Sequence, residues 1–334
     1  MLNAISPIPP IPDALRLAAK QGTLIPFVGA GASRLAGCPG WDDFADSAFR
    51  SFIKAGKLNL SQFEQIRHLT PRIKLSIALA LQKEYPELSI EFRKILHPEP
   101  NPLKAQGEQF YASLSKLAKT FVTTNFDTWL DEDIALPDFN PGKEADASMP
   151  PVRTPRTVIH KVEDFTYDNL KKRDTVFHLH GTTDNSDNMI MTTRDYIDHY
   201  ANDRLGGDKN KENMVLTFLG DLFSLKNVLF VGYGLDELEI LEYVILKARK
   251  NKGQKAPESK HFLLQGFFSH ELELAQRLET YYLVDCGIQL LPYSRDGNNW
   301  EQLLEVMTDF AKQIPANDPL VIQQLSEMSH LLDA

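Results

Sequence analysis

With 334 residues, 43% hydrophobic and 24% charged, the chain has material for one large α/β domain with insertions or for two small domains, each with a full core. A net charge of -9 argues against a phosphate-backbone binder, whose affinity comes from clustered Lys and Arg, and no apolar run approaches the roughly 20 residues that span a bilayer. Two cysteines, Cys38 and Cys286, exclude a disulfide framework and a four-cysteine zinc site by count, and they fit a reducing cytoplasm.

The opening "MLNAISPIPPIPDALRLAAK" has neither a charged leader nor a small-residue cleavage site, so export is not expected. Asp13 is placed to cap a short helix ending near Gly22, and "TLIPFV" reads as a compact apolar strand. "WDDFADSAFRSFIKAG" reads as one helix starting at Asp42 or Asp43 and ending at Gly56, with Phe44, Ala48 and Phe52 on one face. A helical pattern persists from Leu60 to Leu117, broken at Pro71, Pro86 and "HPEPNP". "KTFVTTNFD" is a strand running into a polar turn, the Pro- and Asp-rich stretch from Leu136 to Pro155 an irregular excursion, and "DTVFHLHG" another strand. "NMIMTTRDY" suggests a short strand feeding a helix through Thr192 or Thr193. The helix "ENMVLTFLGDLFSL", the strand "NVLFVGYG" and a helix from Leu235 to Arg249 come next, the last ending in a basic strip at Lys247, Arg249, Lys250 and Lys252. "KHFLLQG", "YYLVDCG" and "IQLLPY" are strand candidates, "NWEQLLEVMTDFAKQI" a closing helix, and "DPLVIQQLSEMSHLLDA" an amphipathic tail.

Strands that lead through turns to helices, with continuous rather than alternating apolar residues, predict a Rossmann-like parallel sheet with helices on both faces and a mainly helical insertion. In such sheets ligands sit at the carboxyl ends of the strands. Gly29 and Gly31 in "GAGAS" are expected to allow positive φ and close backbone approach to phosphates, although Arg34 replaces the third glycine of the dehydrogenase fingerprint. The other strand ends deliver Asn125 and Asp127, His180 and Gly181, and Gly232, Tyr233, Gly234 and Asp236. That set holds an imidazole, an amide and carboxylates but no nucleophile pair. His178 and His180 share a strand face without an identifiable third ligand, so no metal is expected.

In this order, "GAGAS" at 29 to 33, "GCPGW" at 37 to 41, "TTNFD" at 123 to 127, "HLHG" at 178 to 181, "MIMTTRDY" at 189 to 196 and "LFVGYGLDE" at 229 to 237 resemble the sirtuin superfamily. They look most like its bacterial sirtuin-like branch, whose members hydrolyse NAD in anti-phage defence. The resemblance implies NAD as the substrate. Gly29, Ala30, Gly31 and Ser33 match the phosphate loop, with Trp41, Thr124, Gly232, Tyr233, Gly234 and Asp236 completing the dinucleotide contacts. Gly234 stands where the family usually has serine. Asn125 and Asp127 match the residues that hold the nicotinamide-side ribose and the reacting water or nicotinamide, and His180 matches the catalytic histidine. Deacylating relatives usually carry four zinc cysteines; two distant ones cannot supply them.

The resulting division is a catalytic domain at 1–56 and 119–313, a helical insertion at 57–118, an irregular insertion at 136–172 and a tail at 314–334. The expected activity is cleavage of NAD to ADP-ribose and nicotinamide, held silent until triggered by self-assembly or by a co-encoded ATPase or nucleotide-processing enzyme. The competing expectations are an NAD-dependent deacylase or ADP-ribosyltransferase, and a non-catalytic module that senses NAD or ADP-ribose.

Overall fold

A computed structural model describes residues 4–136, 150–200, 213–233 and 261–314. The expectations for Gly234, Asp236, the helix from Leu235 with its basic strip, and the tail from residue 315 fall outside these residues.

Seven parallel strands form the central sheet: β1 (Leu24–Val28), β2 (Thr120–Thr123), β5 (Thr157–Ile159), β6 (Thr175–His178), β7 (Asn227–Val231), β8 (His261–Phe267) and β9 (Ile288–Ser294). Their order is β5-β6-β2-β1-β7-β8-β9. Without the edge strand β5 this is the 3-2-1-4-5-6 order of the doubly wound dinucleotide fold, whose direction reverses around β1. Register aligns the strand ends there. Val28 pairs with Thr123 and with Val231, and Thr123 pairs with His178, so four strands finish on one row.

Both faces are covered because successive strand residues feed opposite cores. Leu24 and Val28 join one apolar cluster, and Ile25 and Phe27 the other. The first face is covered by α1 (Asp13–Lys20), α2 (Ala30–Arg34), α3 (Trp41–Ser47), α4 (Arg50–Lys54), α5 (Leu60–Arg67), α6 (Pro71–Glu84), α7 (Phe92–Leu96), α8 (Lys104–Leu117) and the closing α13 (Gln302–Gln313). The second face carries α9 (Tyr167–Leu170), α11 (Met214–Leu225) and α12 (Leu272–Tyr281), while α10 (Thr193–Tyr200) lies at the strand ends. Among the described residues no helix is long and apolar enough to cross a membrane.

Several local expectations are corrected. The "WDDF" stretch is two helices, α3 and α4, and Gly40 rather than an aspartate precedes the first. Asp42 and Asp46 instead hold the buried ammonium of Lys74, at 3.2 and 2.7 Å. "YYLVDCG" is not a strand: Tyr282–Cys286 forms a π-turn that prolongs α12 and stops at Gly287, φ +72°. The stretch Met189–Thr192 leading into α10 is not a strand. Thr192 Oγ1 accepts from Asp195 N at 3.1 Å while Asp195 Oδ2 accepts from Thr192 N at 2.8 Å, a reciprocal cap that starts the helix. The excursion contains order as well: β4 (Val152–Pro155) pairs antiparallel with β3 (Glu132–Ala135), and β5 follows at once. Buried Arg156 secures that segment, donating to the carbonyls of Leu130 and Glu132 and to Ser115 Oγ.

Candidate functional site

A cavity of about 890 Å³ opens at the aligned strand ends, within the roughly 300–1,000 Å³ of small-molecule sites. Of the residues singled out in the sequence, Ala30, Gly31, Ser33, Trp41, Thr124, Asn125, Asp127, His180, Gly232 and Tyr233 all line it. Gly29 borders it through its carbonyl, which accepts from Asn125 Nδ2 at 3.0 Å, while Gly181 is not among the lining residues.

The glycine loop is built differently from expectation. Gly29 has φ -105° and caps the one-turn helix α2, and Gly31 is not among the residues with positive φ. Their amides donate to Val231 O at 2.9 Å and Gly232 O at 2.8 Å, so they join β1 to β7 rather than facing open space. The glycine requirement at 31 is close packing: a Cβ there would lie 2.7 Å from Gly232 O. Positive φ belongs to Gly181, at +81°, and Gly232, at +71°, the turns that end β6 and β7.

Ser33 is the hub of the polar floor. Its Oγ donates to Asp127 Oδ2 at 2.6 Å and accepts from Asn125 Nδ2 at 2.8 Å. Tyr111 OH lies 3.2 Å away; with the serine proton already given to Asp127, the phenol is the donor. A serine has one proton and two lone pairs, and all three are used. Asp127 Oδ1 also accepts from Trp129 N at 3.2 Å. This spends both amide hydrogens of Asn125 on Gly29 and Ser33 and leaves its Oδ1 without a partner among the described residues. Burial, with the Asp127 charge next, holds the Tyr111 hydroxyl well above its ordinary pKa. The β2 end is tied to its neighbours through hydroxyls: Thr123 Oγ1 donates to Val28 O at 2.8 Å, and Thr124 Oγ1 lies 2.9 Å from Tyr233 OH.

The two histidines part company. His178 Nε2 lies 2.7 Å from Asp131 Oδ1, and its Nδ1 lies 3.0 Å from the Asn125 carbonyl. Burial pulls its pKa down, but the Asp131 carboxylate carries it above the ordinary value. His180, also buried, meets Tyr200 OH at 2.8 Å through Nε2 and Tyr196 OH at 3.3 Å through Nδ1. Burial, followed by the charges of His199 and Arg72, lowers it to about 3, so the ring is neutral at pH 7. Neither tyrosine was assigned from the sequence. Their spacing of four on a capped helix is the signal that places them on one face. Arg72 lies over the Tyr196 ring at 3.8 Å and braces it.

A parallel sheet of this order, with a polar cavity at its switch point, defines a Rossmann-like α/β protein with its ligand site at the carboxyl ends of the strands. A model of the SIR2-like domain matches residues 119–290, just over half of the chain, and the protein belongs to that family, whose members use NAD in NAD-dependent reactions. The match runs from β2 into β9, so the "GAGAS" loop lies before it. None of the curated proteins compared matches the chain. The cavity fits a dinucleotide in its polar inventory as well as its size: Asn125 Oδ1 is an open acceptor at one end, and at the other Gln265 Oε1 is buried with no partner among the described residues.

Proposed function

We propose that the protein is an NAD glycohydrolase that cleaves the nicotinamide–ribose bond to give ADP-ribose and nicotinamide. The observation that carries this reading is the joining of Asn125, Asp127 and His180 with the β1 and β7 glycine turns around one cavity. The membership of a family that uses NAD supports the substrate. Hydrolysis rather than deacylation is supported by the cysteines: Cys38 and Cys286 are buried in the two clusters on opposite faces of the sheet and cannot share a metal.

In this mechanism the bond between C1′ and the pyridine nitrogen breaks and its electron pair leaves with neutral nicotinamide. A water oxygen bonds to C1′, and the water proton passes to His180. The departing ring is already a good leaving group, so the protein's task is positioning. Asn125 Oδ1 orients the ribose or the water. Asp127 and Ser33 fix that amide, and the His178–Asp131 pair fixes its backbone. His180 is unprotonated at neutral pH and available as an acceptor.

His180 lines the cavity but is only 5% exposed, with Tyr200 and Tyr196 hydroxyls on its two nitrogens, so a substrate engages those nitrogens once α10 gives up one of these contacts. With that cover we infer an enzyme held silent until self-assembly or a partner protein moves α10; the cytoplasmic setting and the role in anti-phage defence through NAD depletion rest on the resemblance of the motifs to the bacterial sirtuin-like branch. The test is to incubate the purified protein with NAD, alone and with its genomic neighbours, and to separate nicotinamide, ADP-ribose and cyclic ADP-ribose. Intact NAD under all these conditions overturns the reading.

A further inference from the structure

Away from Asn125 and His180, the cavity ends at the carboxyl ends of β8 and β9, where Arg34, Gln265, Arg295 and Trp300 line it. The Arg34 and Arg295 guanidinium carbons lie over the Trp300 ring, 4.5 and 5.0 Å from its centroid. Arg295 also lies 4.5 Å over Phe268. Guanidinium stacked on a ring keeps its in-plane N–H groups free for an oxyanion. Among the described residues neither arginine forms an ion pair, and Arg295 Nε is buried without any acceptor. Among the described residues the carboxylate lining this end is Glu271, whose Oε2 accepts from Phe268 N at 2.8 Å. Two stacked cations that line one end of the cavity and form no ion pair among the described residues describe a place for a phosphate.

The position narrows which phosphate. Resting on the NAD reading above, with nicotinamide beside His180, the dinucleotide crosses the β1 and β7 turns and its adenosine reaches β8 and β9. There Gln265 lines the cavity, and a side-chain amide suits the adenine amine. In Rossmann-type sites an arginine near the adenosine ribose accommodates a 2′-phosphate. We propose that Arg34 and Arg295 form a subsite for the 2′-phosphate of NADP, so that this cavity takes NADP at least as readily as NAD. Trp300, 44% exposed at the rim, holds both guanidinium planes in place.

The test is calorimetric titration of the full chain with NAD and with NADP, for the wild type and for the Arg34→Leu/Arg295→Leu double variant. The expected result is NADP bound at least as tightly as NAD by the wild type. In the double variant NADP weakens about tenfold or more, the loss of charge-assisted hydrogen bonds, while NAD changes less than about twofold. If the double variant does not fold, exposed Arg34→Leu alone gives the same selective loss. Equal losses for both ligands, which would place the arginines on the shared pyrophosphate, overturn the proposal, as does wild-type binding of NAD that is tighter than that of NADP. Those outcomes leave the NAD reading standing; binding of neither dinucleotide removes that reading and this one with it.

Discussion

Removing one oxygen atom, in Ser33→Ala, tests how the site is held together. Ser33 is 3% exposed, and its Oγ serves Asp127, Asn125 and Tyr111, which are 4%, 8% and 1% exposed. The truncation deprives the Asp127 carboxylate of its 2.6 Å donor. A charge-assisted bond of that kind is worth about 1.5–3 kcal/mol, and each neutral donor left without an acceptor costs about 1 kcal/mol more. Because the three bonds share an atom they do not add fully, and a net loss of about 3 kcal/mol is expected. The assay is equilibrium urea unfolding beside a matched control, Ser113→Ala. Ser113 is equally buried but its Oγ gives a single bond to the Gln109 carbonyl one turn back, so its loss is expected to be at most about 1 kcal/mol. Freed from its anchor, the Asn125 amide also turns away, and NAD turnover falls with stability. Equal destabilisation in the two variants would refute the hub role of Ser33.

The other predictions concern catalysis, pH and the glycines. His180→Gln folds as the wild type does but consumes NAD about 10²- to 10⁴-fold more slowly. Asn125→Ala loses turnover too and, because its amide also holds Gly29 and Ser33, is less stable by about 1–2 kcal/mol in the same urea assay. His180 and His199, lowered by burial to about 3 and about 4, bind fewer protons folded than unfolded. Stability therefore falls as pH drops below about 6.5, and at pH 5 His180→Gln recovers about 2 kcal/mol relative to its effect at pH 7. His178 has the opposite sign: its raised pKa gives stability below about 6.5 that is lost as pH rises through the folded value, and Asp131→Asn abolishes that dependence. Urea midpoints between pH 5 and 8 check both. Gly232→Ala combines φ +71° with a Cβ driven against Ala32 N, and its melting temperature should drop sharply with loss of NAD binding. Gly220→Ala, in α11 with nothing within 4 Å of its Cβ, should raise stability by about 0.5–1 kcal/mol.

Much of this architecture was legible because buried parallel strands announce themselves as apolar runs. "LIPFV", "TFVT", "TVFH", "NVLFV", "HFLLQGF" and "IQLLPYS" are all strands of the sheet, and their following residues converge on the cavity as the order of motifs implied. Illegible features were those set by partners distant in sequence. β5 is three residues long and is recruited by pairing with β6. The β3–β4 ladder joins Glu132 to Pro155 and depends on the buried Arg156 guanidinium beside it. "YYLVDC" has a strand's composition, yet it continues α12 to the left-handed Gly287. At the site, residue types and strand ends were readable, but the division of labour was not. The role of Gly31 as a contact for Gly232, the saturation of Ser33 and the use of His178 to hold the Asn125 backbone exist only once four strand ends meet.

The measurement that bears most directly on the central claim is nicotinamide release. Wild type and His180→Gln are each incubated with NAD over a wide range of protein concentrations, with and without the co-encoded proteins, and NAD, nicotinamide and ADP-ribose are quantified together. The account predicts that wild-type protein releases nicotinamide in step with the loss of NAD and that His180→Gln does so at least about 10²-fold more slowly. Equal rates in the two proteins, or NAD left intact by the wild type under every condition, would contradict it.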